Sequence, residues 1–147
     1  MAASEQIEFH NVRFGKLTAN KEDLILFSEG LPGFERFKRY AIVEEEEELP
    51  FQWLLSVEEP YLGFMIVDPL LICPDYNHGV SKEDLKGLDV ERSEDLRICS
   101  IVTLSSDPNK ITVNLKGSIF INVVNRKAKQ VVLMDDTYST KHPILGS

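Results

Sequence analysis

Three histidines, two cysteines and a dense run of carboxylates are the side chains of this sequence best suited to chemistry. His10, His78 and His142 lie far apart, and Cys73 and Cys99 fall outside any CxxC pattern. Zinc sites draw ligand pairs from short, regular spacings, so neither set predicts a metal centre. Asp75, Tyr76 and His78 share one turn-like stretch, and with Asp68 they form the one polar cluster suited to acid-base work or small-ligand binding. An ordinary loop bounded by proline and glycine has the same composition, and that plainer reading is preferred. No GxSxG, HExxH, P-loop or GxGxxG sequence occurs, which leaves no residue on which to base a nucleophile or a phosphate cradle. Gly30-Leu31-Pro32-Gly33-Phe34 lacks the Lys-Ser/Thr of a phosphate loop and reads as a tight turn burying Leu31 and Phe34. The expectation is a protein without catalytic residues, metal or cofactor. Both cysteines have apolar neighbours, which suits buried free thiols in a reducing compartment.

The carboxylates are the uneven feature. Residues 40–81 carry nine acids (Glu44, Glu45, Glu46, Glu47, Glu48, Glu58, Glu59, Asp68 and Asp75) and no lysine or arginine. The remaining fifteen acids face all 16 basic residues, so the formal net charge of −8 arises in one contiguous stretch. That balance argues against direct nucleic-acid binding, which needs a concentrated basic surface, and against docking on an anionic membrane. It leaves open a basic protein partner or no charged partner at all. Glu44 to Glu48 alone fits a solvated connection as well as a binding segment. The wider stretch interleaves its acids with Phe51, Trp53, Tyr61 and Phe64, although Trp53 and Phe64 fit a core better than an interface. All nine acids are candidate partner-binding residues.

The elements that position these residues read mostly as short strands. Apolar runs at 7–9, 24–27, 40–43, 51–57 and 62–67 are closed by turn signals, among them Glu59-Pro60 and Asp68-Pro69. Ile98 to Leu104 is rich in β-branched residues, and Ile111 to Lys116 alternates apolar and polar residues with the period of a strand. Ile119 to Val124 and Gln130 to Met134 read as strands joined through Asn125 to Lys129. Ser81-Lys82-Glu83-Asp84 resembles a helix start with Leu85 and Leu88 on one side, limited by Gly87, and Pro32 to Phe37 reads as a single turn. The predicted class is mainly β: a small antiparallel β-barrel-like or sandwich domain with one or two short helices. At 147 residues the chain fits one domain, 1–147. Met1 to His10 has no lysine or arginine and no long apolar run, so no export signal is expected, and no run approaches the ~20 apolar residues of a membrane span.

Several blocks occur in a recognisable series. Gly30-Leu31-Pro32-Gly33-Phe34 is followed by Pro50-Phe51-Gln52-Trp53-Leu54-Leu55-Ser56, Phe64-Met65-Ile66-Val67-Asp68-Pro69 and Pro74-Asp75-Tyr76. Thr112-Val113-Asn114-Leu115, Ile119-Phe120-Ile121-Asn122, Lys129-Gln130-Val131-Val132-Leu133 and Tyr138…His142-Pro143 complete it. In this order the series resembles the FliW family of flagellar assembly factors over nearly the whole chain. Lys116-Gly117-Ser118 departs from the family's usual Ala-Pro, and Glu44 to Glu48 is unusually acidic for its loop. The resemblance implies a non-enzymatic, barrel-like β protein of the cytoplasm with two partners. One is flagellin before export. The other is CsrA, a basic RNA-binding repressor of flagellin translation, which the protein would bind and antagonise when free of flagellin.

Overall fold

A computed structural model describes residues 5–144; the first four residues of the stretch read for an export signal lie outside them. Its elements in chain order are β1 (Gln6–Asn11), β2 (Gly15–Asn20), β3 (Ile25–Leu26), β4 (Arg39–Val43), β5 (Gln52–Ser56) and β6 (Gly63–Val67). Then come the short helix α1 (Pro69–Ile72), β7 (Leu96–Thr103), β8 (Thr112–Val113), β9 (Gly117–Asn122), β10 (Ala128–Val132) and β11 (His142–Pro143). Each of the ladders between strands is antiparallel. β1 and β2 form a hairpin of their own, and the other nine strands make one sheet, ordered β10-β9-β7-β6-β5-β4-β3 with β8 on β7 and β11 on β8.

The mainly β, antiparallel class is as expected, but the sheet does not close into a barrel. Among the described residues its two ends approach each other only at a parallel bridge between Leu26 of β3 and Lys127, just ahead of β10, where the Leu26 N–H donates to the Arg126 carbonyl at 2.9 Å. β3 is two residues long; its pairing with β4 runs one bond further, the Phe27 N–H donating to the Lys38 carbonyl at 2.8 Å, and the chain then turns away, with the Gly30 N–H donating to the Phe27 carbonyl at 2.9 Å. Gly30 makes that turn with a φ of +71°, and a Cβ there would stand 2.5 Å from the Cα of Glu35.

Successive side chains of a strand point to opposite faces, and here both faces are covered. Tyr40, Leu54, Ile66, Cys99, Ile119 and Ile121 pack on one face with Ile25, Phe27 and Leu31. Ala41, Trp53, Leu55, Met65, Val67 and Val102 pack on the other, under Ile7, Phe9 and Leu17 of the β1-β2 hairpin. Leu31 is buried as expected, whereas Phe34 remains 39% exposed, its ring edge-on to Phe64 at 5.6 Å. Cys99 is buried and its thiol is pushed up to about 12 by that burial, but Cys73 is half-buried; both are free.

Several elements differ from the sequence-based expectation. The strand expected over 111–116 is only β8, because the Asn114 side chain turns back to accept from the Gly117 N–H at 2.8 Å and the Leu115 N–H bonds the Ser139 carbonyl. No helix forms after Ser81. Its hydroxyl and the Asp84 carboxylate do satisfy each other's N–H groups, but the following bonds are of i to i+3 type and the chain adopts positive φ at Gly87 and Asp89. The helix that does form, α1, begins at Asp68-Pro69. Asp68 caps it by accepting from the Leu70 N–H at 2.9 Å, with proline at the first position, a start signal in its own right.

Candidate partner-binding site

The acidic stretch is threaded through β4, β5, β6 and α1, so its charges fall at the ends of strands. Val43 pairs with Trp53 and Tyr40 with Ser56, which sets Glu44 to Glu48 at one end of the β4-β5 pair and Glu58 and Glu59 at the other. Trp53 pairs with Met65 and Gln52 with Ile66, so Asp68, following β6, lies at the Glu44 to Glu48 end. A strand of this length separates the two ends by roughly 17 Å. The nine acids therefore do not form one continuous face.

Their local roles differ as well. Glu58 accepts the N–H groups of Lys38 at 2.9 Å and Arg39 at 3.0 Å. Partial burial by itself raises its pKa, but those two N–H bonds and the charges of Arg39 and Lys38 together hold it below the ordinary carboxylate value. Glu59 accepts from the Tyr61 N–H at 3.3 Å, and both glutamate N–H groups bond the Ser56 hydroxyl. Asp68 is the helix cap already described. Glu48 is half-buried: one carboxylate oxygen accepts from the Trp53 indole N–H at 3.0 Å and the other meets the Arg13 guanidinium at 3.4 Å. That guanidinium lies over the Trp53 ring, 4.7 Å from its centroid. Arg13 sits between β1 and β2, so the tertiary structure brings a cation into a stretch that has none in sequence.

Glu45, Glu46 and Glu47 are exposed, and among the described residues their side chains make no hydrogen bond or ion pair. Glu44 is exposed too, accepting only from the Gln52 amide at 2.6 Å. Glu45, Glu47 and Glu48 border a shallow depression of about 470 Å3 with Arg13 and Phe14. At the same end Leu49, Leu70 and Leu71 are 48%, 51% and 59% exposed. Asp75 is exposed and stands apart, beyond α1. Trp53 is core at 8% exposure and Phe51 and Phe64 are half-buried, whereas Tyr61 is 81% exposed.

The alternative polar cluster does not converge. The Tyr76 hydroxyl donates to the Leu115 carbonyl at 2.7 Å and lies 2.9 Å from the Ser118 hydroxyl, which meets Ser100 at 2.8 Å. Burial pushes its pKa up, as suits a structural hydroxyl. His78 accepts the Val80 N–H on Nδ1 at 3.0 Å and stands edge-on to Phe120; burial holds its imidazole below the ordinary value. The two depressions that His78 lines include none of Asp68, Asp75 and Tyr76. Among the described residues no group of three or more His, Cys, Asp or Glu side chains is placed to hold a metal ion, and no helix is long and apolar enough to cross a membrane.

Comparison with known proteins matches residues 8–144 to the family model described as "FliW protein". The "Flagellar assembly factor FliW" of Ruminiclostridium cellulolyticum is 41% identical over 133 residues, 90% of each chain. Its namesake in Caldanaerobacter subterraneus is 39% identical over 140 residues, covering 95% of this chain and 93% of that one. A solved structure titled "Crystal structure of the flagellar assembly factor FliW" superposes with a TM-score of 0.88 at 30% identity, covering 96% of this chain and 99% of the other.

Proposed function

This chain belongs to the FliW family, and from that premise we propose that it is a flagellar assembly factor acting by stoichiometric binding in the cytoplasm. On this reading it holds flagellin before export and, when free of flagellin, binds CsrA and relieves translational repression, so that synthesis follows secretion. The family relation supports the role, and the resemblance of the sequence blocks supports the partner pair. For the CsrA contact, the observation that carries the reading is the sheet end bearing Glu44 to Glu47 and Asp68. Its carboxylates are exposed and make no ion pair among the described residues, and Leu49, Leu70 and Leu71 are exposed at the same end of the sheet. Free charge there steers a basic partner and fixes its orientation, while the leucines supply apolar area. Glu58, Glu59 and the capping carboxylate of Asp68 have the further task of holding local backbone, so they are poor targets for a clean test.

The test is the triple variant Glu45→Gln, Glu46→Gln, Glu47→Gln. These side chains support nothing in the fold, so its melting temperature stays at the parent value. Its affinity for CsrA falls about tenfold at low salt, and the difference shrinks as salt is raised. An unchanged affinity in the folded variant rejects this end as the CsrA contact. Pull-downs with flagellin and with CsrA, singly and in competition, separate the two-partner protein from a chaperone serving flagellin alone.

A further inference from the structure

β10 is an edge strand that most of its neighbours leave bare. It pairs with β9 on one side; on the other, Leu26 reaches it only at Lys127. The Asn122 N–H donates to the Lys127 carbonyl at 2.9 Å and the Leu133 N–H to the Lys116 carbonyl at 2.7 Å. These bonds set the phase of the antiparallel ladder, in which hydrogen-bonded pairs alternate. Lys129, Val131 and Leu133 turn their main chain toward β9, so the N–H and C=O groups of Gln130 and Val132 face outward. A longer β3 would cover them, but its chain turns away after Phe27.

Natural sheet edges are protected by charge, proline or brevity. On β10 the one charged side chain is Lys129, whose ammonium donates to the Lys86 carbonyl at 3.3 Å; toward and beyond its end the exposed side chains are apolar, with Val132 65% and Met134 95% exposed. The edge opens on a cavity of about 350 Å3, walled across from the strand by His78, Gly79, Val80 and Asp84. Charge along this cleft is polarised. Near the bridge, Arg126 is paired with Asp23 at 3.7 Å and Lys127 with Asp89 at 3.0 Å. At the far end Asp84 and Asp135 make no direct ion pair among the described residues, although Lys129 lies near enough to Asp84, and Lys116, paired with Asp136, near enough to Asp135, to favour their charged forms. Bonds from Ser81 to Asp84, and from Thr137 to Asp135, hold both carboxyls below the usual range, so both are anionic at neutral pH.

We infer that the Gln130 to Met134 edge accepts an extended segment of a partner polypeptide as an added strand, its apolar residues on Val132 and Met134 and its cationic end over Asp84 and Asp135. Main-chain bonds to Gln130 and Val132 supply affinity, and the side chains select the sequence. The inference rests on the reading of flagellin as a partner and assigns that partner this edge, away from the Glu44 to Glu47 end.

Amide hydrogen exchange of the full chain, alone and with monomeric flagellin, tests it together with two variants. Val132→Pro removes an outward N–H without touching the ladder, a change that edge strands accept. The double variant Val132→Lys, Met134→Lys alters only exposed side chains and serves if the proline variant fails to fold. The Gln130 and Val132 amides are expected to exchange about tenfold more slowly in the complex, and each folded variant to lose about tenfold in flagellin affinity. Flagellin binding with unchanged exchange at those amides, or with full affinity in the lysine variant, overturns the edge assignment and leaves the partner reading standing. No flagellin binding by the unaltered chain overturns both.

Discussion

Glu58 and Glu47 are the same residue type in the same acidic stretch, and the fold uses them oppositely. Glu58 terminates two main-chain N–H groups, while Glu47 points into solvent. Since the folded pKa of Glu58 lies below its ordinary value of 4.5, its contribution to stability is fully present above that value. It is lost as pH falls through the lower, folded value. Urea titrations of parent and Glu58→Gln between neutral pH and about pH 3 read this directly: the parent loses stability more steeply below 4.5, and the variant's acid limb is shallower. Identical acid limbs would show that the two N–H bonds do not favour the charged form. The acidic composition of the stretch was legible from residue types alone. Which acids are free was not, because their partners are backbone groups of Lys38 and Arg39 and the guanidinium of Arg13, brought near only by strand pairing.

Turn chemistry decides the elements. Gly15 and Gly30 both sit at positive φ, +75° and +71°, yet a Cβ at Gly15 meets nothing within 4 Å while one at Gly30 would be 2.5 Å from backbone. Gly15→Ala therefore costs about 1 kcal/mol from conformation alone. Gly30→Ala adds overpacking of about 1–3 kcal/mol, because the turn ending β3 must shift. Denaturant unfolding of the two variants checks the ordering, and equal losses would remove the steric account. Long, alternating or β-branched segments such as β7 and β9 could be read from the sequence, since their period is local. β2 (Gly15–Asn20) escaped because GKLTAN has little apolar signal and depends on pairing with β1. At Ser81 the local cap is present but Gly87 and Asp89 break the turn, so a correct cap signal preceded no helix.

At the level of the whole molecule, β5 joins the two halves of the core: Leu54 packs on one face and Leu55 on the other, at 0% and 1% exposure. Leu54→Ala and Leu55→Ala each cost about 2–5 kcal/mol. Trp53 fluorescence and far-UV circular dichroism should follow one shared transition in both variants, and separated transitions would mean that the faces unfold independently. The net charge of −8 and its confinement to residues 40–81 are properties of the sequence, as are the apolar periodicity of the strands and the family's series of blocks, for these depend only on residue types and their order. The division of that charge between two ends of a strand pair, the neutralisation of Glu48 by Arg13 and the bare edge of β10 came only with the tertiary structure. The physical reason is that antiparallel pairing carries neighbours in sequence to opposite ends of a sheet and brings distant residues into contact, and no local pattern records which strand is left last in the order.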